Sequence, residues 1–411
     1  MGDDGLERMK RSQAHARVEI DSRSAKAVRR GHPWVWRNAI RQAPRSLAAG
    51  ALTSVFDANG FVGHGLWDPT SPIAIRIYTR LQAESLGLGT LTSSVMRAVD
   101  ARAPLFDPTD TNAYRMCNGE GDRVPGVVLD RYGSVAVARF DGDAIRAWAD
   151  ELVASLWPPL RQRGITSLAI RESTRGKVGV RTAAGDPMPD SVIVVERGMR
   201  MLVDLARGQK TGAFLDQREN RRRVRFMAAG ARVLNLFSYA GGFSCAAALG
   251  GATYVTSVDV AHAAHGVAHE TFRLNGIDPG AHTFVTSDVF SFLDHAHQRN
   301  ERFDLVISDP PSFAPSEKSL PKALGAYRRL HEACARVVAK GGSLCAASCS
   351  SHVTSDAFLG TLDDEVLGGR SFRVIDSFGQ PPDHPTIPGW PEGRYLKFVV
   401  LSEAQPRLTQ G

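Results

Sequence analysis

From Arg232 onward, strand-like and helix-like segments alternate, and this alternation constrains the fold more than any other feature of the chain. RVLNLF (232–237), YVTSVDV (254–260), HTFVTS (282–287), FDLVISD (303–309) and SLCAAS (343–348) are short apolar runs with helical segments between them. Strands connected in this way lie parallel in one sheet, because only a crossover returns the chain to the same edge. Two further runs, SFRVIDSF (371–378) and RYLKFVVL (394–401), follow one more helix and are joined by a loop rich in Pro. With no helix between them, they are expected to pair antiparallel at the end of the sheet. The expected class is α/β, with a seven-stranded Rossmann-like sheet whose last strand is antiparallel.

A chain of 411 residues is too long for one ordinary core and suits two or three domains. Residues 17–80 read as a small β-rich unit, in which LTSVFD, FVGHGLW and IAIRIYT are punctuated by Gly, Asn-Gly and Pro. That spacing fits a compact barrel. A central α+β unit follows, with a hairpin about the Tyr-Gly turn of VPGVVLDRYGSVAVARF (124–140), an amphipathic helix near AIRAWADELVASLW, and strands at SLAIRES and SVIVVER. The expected domains are therefore 1–80, 81–200 and 201–411.

Hydrophobic residues make up 43% and charged residues 23% of the chain, as in a soluble globular protein. No apolar run reaches the roughly 20 residues that cross a bilayer, and MGDDGLERMKRSQAH has no signal-peptide core, so no membrane partner and a cytoplasmic location are expected. Five scattered cysteines without CxxC pairs support neither a disulfide framework nor a metal site. Between Arg8 and Arg45 there are eleven Lys or Arg against two acids, and RENRRRVR (218–225) forms a second basic cluster. Nucleic-acid phosphates are the partner such charge suggests; a solvated arm that aids solubility is the alternative.

In open α/β sheets, ligands bind beyond the carboxyl ends of the strands. After the first strand comes FSYAGGFS (237–244), containing Phe237, Tyr239, Gly241 and Gly242; the glycines let backbone approach a ligand. The GxGxxG fingerprint of a dinucleotide site is missing, which argues against NAD or FAD. The second strand ends in Asp259, placed to accept hydrogen bonds from ribose hydroxyls, although it could also cap the next helix. Asp288 follows the third strand, within reach of an adenine amino group. Together they describe S-adenosylmethionine, a nucleoside without phosphates, and so the methyltransferase form of the Rossmann fold.

The fourth strand ends in DPPSF (309–313), which puts Asp309 at the strand tip and offers Phe313 as a face on which a base can stack. The fifth ends in Ser348-Cys349-Ser350 at the same edge. Carbon 5 of a pyrimidine is a poor nucleophile. A thiolate adding to carbon 6 turns the ring into an enamine-like adduct whose carbon 5 can take a methyl group, after which a base removes the proton and the thiol leaves. Cys349 stands where that chemistry needs a thiol, and Asp309 where an acid can hydrogen-bond the base edge. The plainer reading of Cys349 is a small residue filling a strand end, which suits Cys345 better.

DLARGQKTGAFLDQRENRRRV (204–224), VLNLFSYAGGFS, SVDVA, DPPSF and SCSSH, in that order, resemble the RNA cytosine-5 methyltransferases of the bacterial large-subunit rRNA methyltransferase I type. GHPWVWRNAI (31–40) is similar to the start of that family's RNA-binding PUA domain, CNGEGDRVPGVVLDRYG (117–133) to its central domain, and EGRYLKFVVL (392–401) to its closing strand. The resemblance implies that Cys349 is the nucleophile and Asp309 the acid at the base and beside the methyl donor, with Phe214 and Gln217 in the segment covering the cofactor. It implies a large-subunit rRNA substrate with an unpaired or flipped cytosine. Arg29, Arg30 and Arg37 are the candidate phosphate contacts in the PUA-like domain. The loop after the fourth strand carries no second cysteine, leaving the group that assists product release unassigned. An exocyclic amine methyltransferase acting on a purine, and an RNA-binding assembly factor without turnover, are the alternatives. No segment marks a dimer interface, and homodimerisation stays open.

Overall fold

Short apolar strands separated by tight turns build a six-stranded sheet near the amino-terminal end of the computed structural model, which describes residues 15–174, 177–314 and 316–403. The strands are β1 (Ala16–Ile20), β2 (Trp34–Trp36), β3 (Ile40–Gln42), β4 (Leu52–Asp57), β5 (Gly60–Trp67) and β6 (Ile73–Thr79), in the order β2-β6-β5-β4-β1-β3. Asn59 and Gly60 turn the chain between β4 and β5, with Gly60 at φ +109°, a conformation that favours glycine. Val18, Val35, Val55, Val62 and Ile75 fill the core beneath. A helix, Ser22–Arg29, was not expected from SRSAKAVR, which buries only Ala25 and Val28; Asp21 starts it by accepting a hydrogen bond from Ser24 N at 2.8 Å. Of the basic arm, Arg8, Lys10 and Arg11 lie outside the described residues.

This sheet belongs to the first of two units into which the chain divides, made of residues up to Leu105, Arg115–Met188 and Asp383–Pro391. The same unit holds a five-stranded sheet, order β11-β10-β9-β8-β7, from β7 (Ala113–Asn118), β8 (Val127–Tyr132), β9 (Val135–Phe140), β10 (Ser167–Thr174) and β11 (Lys177–Gly185). The expected hairpin is β8–β9, closed by Gly133 at φ +63°. The helix Ala149–Gln162 covers the expected amphipathic segment, while Leu88–Arg102 and β11 are further elements, whose apolar residues are interrupted by Gly, Thr and charged side chains. β12 (Ser191–Glu196) pairs antiparallel with β13 (Met199–Asp204), and this hairpin falls in the second unit.

The second unit is dominated by a seven-stranded sheet of β14 (Arg232–Leu236), β15 (Tyr254–Asp259), β16 (Thr283–Thr286), β17 (Phe303–Ser308), β18 (Val338–Ser348), β19 (Phe372–Phe378) and β20 (Lys397–Glu403). The order is β16-β15-β14-β17-β18-β20-β19. The first five strands are parallel and β20 runs antiparallel to both neighbours. Both faces are covered, which is why these strands read as nearly continuous apolar runs. Leu234, Leu236 and Val306 pack on one face with Tyr327, Leu330 and Phe358; Val233, Leu305 and Ile307 pack on the other with Val224, Phe243 and Ala247. The order reverses at β14, so the loops after β14, β15, β17 and β18 open onto one crevice.

Candidate functional site

The loop after β14 is held in an unusual backbone conformation. Phe237 at φ +55° and Tyr239 at φ +46° both occupy the left-handed region that side chains avoid, and Gly241 at φ +73° follows. A Cβ on Gly241 would lie 2.7 Å from the Ala268 Cβ, so an alanine there would be both strained and crowded. Asp259, at the tip of β15, fixes the loop: its Oδ2 accepts from Tyr239 N at 2.7 Å and its Oδ1 from Ala261 N at 2.8 Å. Each oxygen keeps a second lone pair for a ligand hydroxyl.

Other features suit a nucleoside. Val260, next to Asp259, is 69% exposed and offers an apolar surface to a planar base. Ser238 Oγ is buried in the loop without a hydrogen-bond partner among the described residues. Asp288 is exposed after β16 and caps the helix Val289–Gln298 through Oδ1, accepting from Ser291 N at 3.0 Å. Gly242 begins the helix Gly242–Leu249, where a Cβ would stand 3.1 Å from Arg221 Cδ. An orphaned hydroxyl, a glycine cradle, an acid at ribose reach and an exposed apolar neighbour together fit the nucleoside and amino-acid parts of S-adenosylmethionine.

The segment 209–217 lies against this loop. Gln209 N donates to the Tyr239 hydroxyl at 3.0 Å, and the Phe214 ring meets Tyr239 edge-on at 5.6 Å. Lys210 Nζ lies 4.4 Å from the Phe214 ring centroid and 2.7 Å from Asp216 Oδ2, which also accepts from the Tyr395 hydroxyl at 2.7 Å. The helix Arg218–Met227 then begins with buried Arg218 and Arg221. Arg221 forms a bidentate pair with Glu196 at 2.7 and 2.6 Å and donates to Phe214 O at 3.0 Å.

Asp309 and Cys349 stand just beyond the ends of β17 and β18, which are neighbours with Ser308 opposite Ala346. Gln217 Nε2 donates to Asp309 Oδ2 at 2.9 Å, and Asn220 Nδ2 holds the Gln217 Oε1 at 2.5 Å, so the amide points its donor at the acid. Burial, with the Asp216 charge adding to it, pushes the Asp309 carboxyl up to about 7; Lys210, Arg221 and the Gln217 hydrogen bond pull against this. Near neutral pH this side chain is partly a neutral acid able to donate a proton.

Of the five cysteines, only Cys349 is not buried. Burial and the charges of Asp309 and Asp216 raise its thiol pKa, while Lys210 lowers it. The buried thiols of Cys245, Cys334 and Cys345 are pushed up to about 12, chiefly by desolvation, and are inert packing. A hydroxyl network holds the residues around Cys349: Tyr327 reaches Ser348 Oγ at 2.9 Å and Ser350 Oγ at 3.2 Å, and Ser312 Oγ lies 2.9 Å from Ser350 Oγ. The turns after β17 and β18 are thus tied together. Phe313 is half-buried and packs against Tyr327, with ring centroids 4.9 Å apart. The sequence gives no role to the Tyr327 hydroxyl, nor to that of Ser312 within DPPSF, since both depend on a helix and a loop meeting across the sheet edge.

The arginines singled out for RNA lie in the first unit and differ among themselves. Arg29 is bound to Asp57 by two hydrogen bonds of 2.9 and 2.6 Å. Arg37 donates to Ser71 O at 2.9 Å and to Asp68 O, and its guanidinium lies 5.4 Å from the Trp67 ring centroid. Arg30 is exposed at the end of the first helix.

A family model described as S-adenosylmethionine-dependent methyltransferase matches residues 144–396, and one described as a PUA-like domain matches residues 18–80. The ribosomal RNA large subunit methyltransferase I of Alteromonas mediterranea is 36% identical over 392 residues, covering 94% of this chain and 98% of the relative. The chain belongs to the ribosomal RNA large subunit methyltransferase I family. A ribosomal RNA large subunit methyltransferase of Deinococcus radiodurans is 37% identical over 404 residues, covering 95% of this chain and 98% of its own length. Among solved structures, the methyltransferase SMU.776 complexed with SAH superposes with a TM-score of 0.83 at 25% identity, covering 94% of this chain and 99% of that one. The fold is accordingly a PUA-like domain followed by a Rossmann-like methyltransferase domain, and the cofactor of this family member is S-adenosylmethionine.

Proposed function

We propose that the protein methylates carbon 5 of an unpaired cytosine in large-subunit ribosomal RNA, with Cys349 as nucleophile and Asp309 as the acid at the base. The observation that carries this reading is the half-exposed thiol of Cys349 on the strand next to Asp309, an acid whose raised pKa keeps it partly protonated. The rRNA substrate is inferred from the relatives, which are ribosomal RNA large subunit methyltransferases. We divide the chain as residues 1–80 for RNA binding, 81–200 as a central domain and 201–411 for catalysis, and assign the reaction to the cytoplasm; among the described residues no helix is long and apolar enough to cross a membrane.

When bound, S-adenosylmethionine supplies an electrophilic methyl group on a sulfonium. Phe237, Tyr239, Gly241, Gly242, Asp259 and Asp288 would hold its nucleoside and amino-acid parts, with Phe214 closing over them and Gln217 orienting Asp309. The Cys349 thiolate adds to carbon 6 of the cytosine, forming the S–C6 bond and pushing electrons toward N3. Asp309, its Oδ2 occupied by Gln217, donates from Oδ1 to N3 and neutralises that charge. Carbon 5 then takes the methyl group as the bond between methyl and sulfonium breaks, leaving a neutral thioether. Loss of the carbon-5 proton to water restores the C5–C6 double bond as the S–C6 bond breaks and the thiolate departs, and N3 returns its proton to Asp309.

The Cys349→Ala variant tests this directly in a methylation assay on rRNA fragments with labelled cofactor, followed by nucleoside analysis. The wild type should yield 5-methylcytosine, and the variant should lose at least about a thousandfold in rate while still binding cofactor. Undiminished methylation by the variant, or a methylated purine as product, overturns the reading and favours amine methylation. The pH–rate profile should be bell-shaped: with the thiol pKa raised above that of Asp309, the population holding both a thiolate and a protonated acid grows up to about 7, levels off as Asp309 begins to lose its proton, and falls above the thiol's own pKa.

A further inference from the structure

The apolar strand β20 begins with a lysine. Lys397 precedes the buried Phe398, Val399 and Val400, is itself only 4% exposed, and forms no ion pair among the described residues. Burying an ammonium is costly unless hydrogen bonds or an opposite charge meet it. Here its three N–H groups go to three backbone carbonyls: Ser350 O at 2.6 Å, Val353 O at 2.8 Å and Tyr395 O at 2.8 Å. An ammonium has three donors, so its hydrogen bonding is complete. A methionine would fill similar space without the cost of desolvating a charge, which raises the question of what the charge does.

Its surroundings answer. Two of the three carbonyls belong to the turn that follows Cys349, and in the strand register Lys397 lies opposite Ser348, the residue before Cys349. The lysine therefore grips the backbone on both sides of the thiol. The charged groups that bear on that sulfur are Asp309 and Asp216, which oppose a thiolate, and Lys210, whose charge is shared with Asp216 at 2.7 Å. The Tyr327 hydroxyl nearby is engaged with Ser348 and Ser350. Burial lowers the Lys397 pKa to about 8, and the nearby Cys349 thiolate acts in the opposite direction, favouring the ammonium.

We propose that Lys397 is a positioning residue for Cys349: its ammonium braces the 350–353 turn and supplies the positive charge that offsets Asp309 and Asp216 at the sulfur. This rests on the reading of Cys349 as nucleophile. Below about pH 8, where Lys397 keeps its proton, the ammonium acts at two moments, when the thiolate forms before addition and when it departs at the end. With all three N–H groups donated to carbonyls, Lys397 holds charge and does not serve as the base that takes the carbon-5 proton.

Because every other cysteine is buried, alkylation by iodoacetamide reads Cys349 selectively. In the full-length protein, Lys397→Gln keeps donors for the carbonyls and removes the charge, whereas Lys397→Arg keeps the charge. The alkylation rate at about pH 7, where Lys397 keeps its proton, should fall about tenfold in Lys397→Gln and stay near the wild-type value in Lys397→Arg. Equal rates at that pH in wild type and Lys397→Gln overturn the proposal. A second measurement leaves Lys397 unchanged: the wild-type protein is alkylated at Cys349 with iodoacetate, which adds a carboxylate, or with iodoacetamide, which adds a neutral amide. In carbon-13 spectra of labelled lysine, Lys397 should titrate at higher pH in the carboxymethylated protein; identical titration overturns the proposal. Neither readout requires methyl transfer, so a Cys349→Ala variant that still methylates would refute the nucleophile assignment separately.

Discussion

The tips of the seven-stranded sheet and the first helix of the amino-terminal unit treat their charged residues in opposite ways. At the sheet, Asp259 spends one lone pair of each oxygen on the loop beside it, and Asp309 accepts from Gln217 through one oxygen only, so both retain acceptor capacity facing the crevice. In the amino-terminal unit, Arg29 is committed to Asp57 and Arg37 to backbone carbonyls, while Arg30 is exposed at the end of the helix. Position at a strand end selects residues for chemistry, because the topology leaves those loops facing one crevice. A count of basic residues selects nothing of the kind, since an arginine can as easily be a structural clamp as a phosphate contact.

The largest effect that would sharpen this contrast lies at the sheet. Asp309→Asn keeps the shape of the side chain but removes the titrating proton, and should lower kcat/KM by about a hundredfold or more. It should also remove the alkaline fall of the pH–rate profile, because an amide does not ionise, and should ease thiol ionisation by deleting a neighbouring negative charge. A variant with an unchanged alkaline limb would remove Asp309 from the acid role. Next in size is Gly241→Ala, which forces a side chain into a left-handed conformation 2.7 Å from the Ala268 Cβ. Cofactor affinity by calorimetry should fall at least about tenfold, with a stability loss of about 1–3 kcal/mol. Unaltered affinity would show that this loop does not approach the ligand.

The part of the fold most legible in the sequence is the part buried on both faces. Parallel strands between helices are apolar throughout, so RVLNLF, YVTSVDV and FDLVISD stand out without help from periodicity. The helix Ser22–Arg29 is mostly polar and strand β11 scatters its Val and Ala among Gly, Thr, Lys and Arg, so only tertiary packing makes them visible. The same logic divides the site. Residues at strand tips, from Gly241 to Cys349, can be read from local spacing. Tyr327 and Lys397 cannot, because each reaches the nucleophile from an element distant in sequence: Tyr327 bonds to Ser348 and Ser350, and Lys397 to the carbonyls of Ser350 and Val353. Lys397 is also masked by its setting, since a lysine at the edge of an apolar run ordinarily marks where a strand meets water.

The smallest expected effect separates two adjacent arginines. Arg29 neutralises Asp57, whose side chain is only 1% exposed and whose pKa that pairing lowers to about 2. Arg29→Ala should therefore destabilise the protein by about 1 kcal/mol, the exposed position of the arginine keeping the value small. That stabilisation should be complete above the ordinary Asp pKa near 4 and fade as the pH falls toward about 2, because the depressed carboxyl must then be protonated. Arg30→Ala should leave thermal unfolding unchanged and weaken rRNA-fragment binding by about threefold. It should also flatten the dependence of log affinity on log salt by about 0.7, the share of one contact to single-stranded phosphate. If Arg29→Ala reproduced the binding and salt effects of Arg30→Ala without loss of stability, the Asp57 pair would be a loose surface contact, and charge along the helix would matter more than which arginine the fold has already engaged.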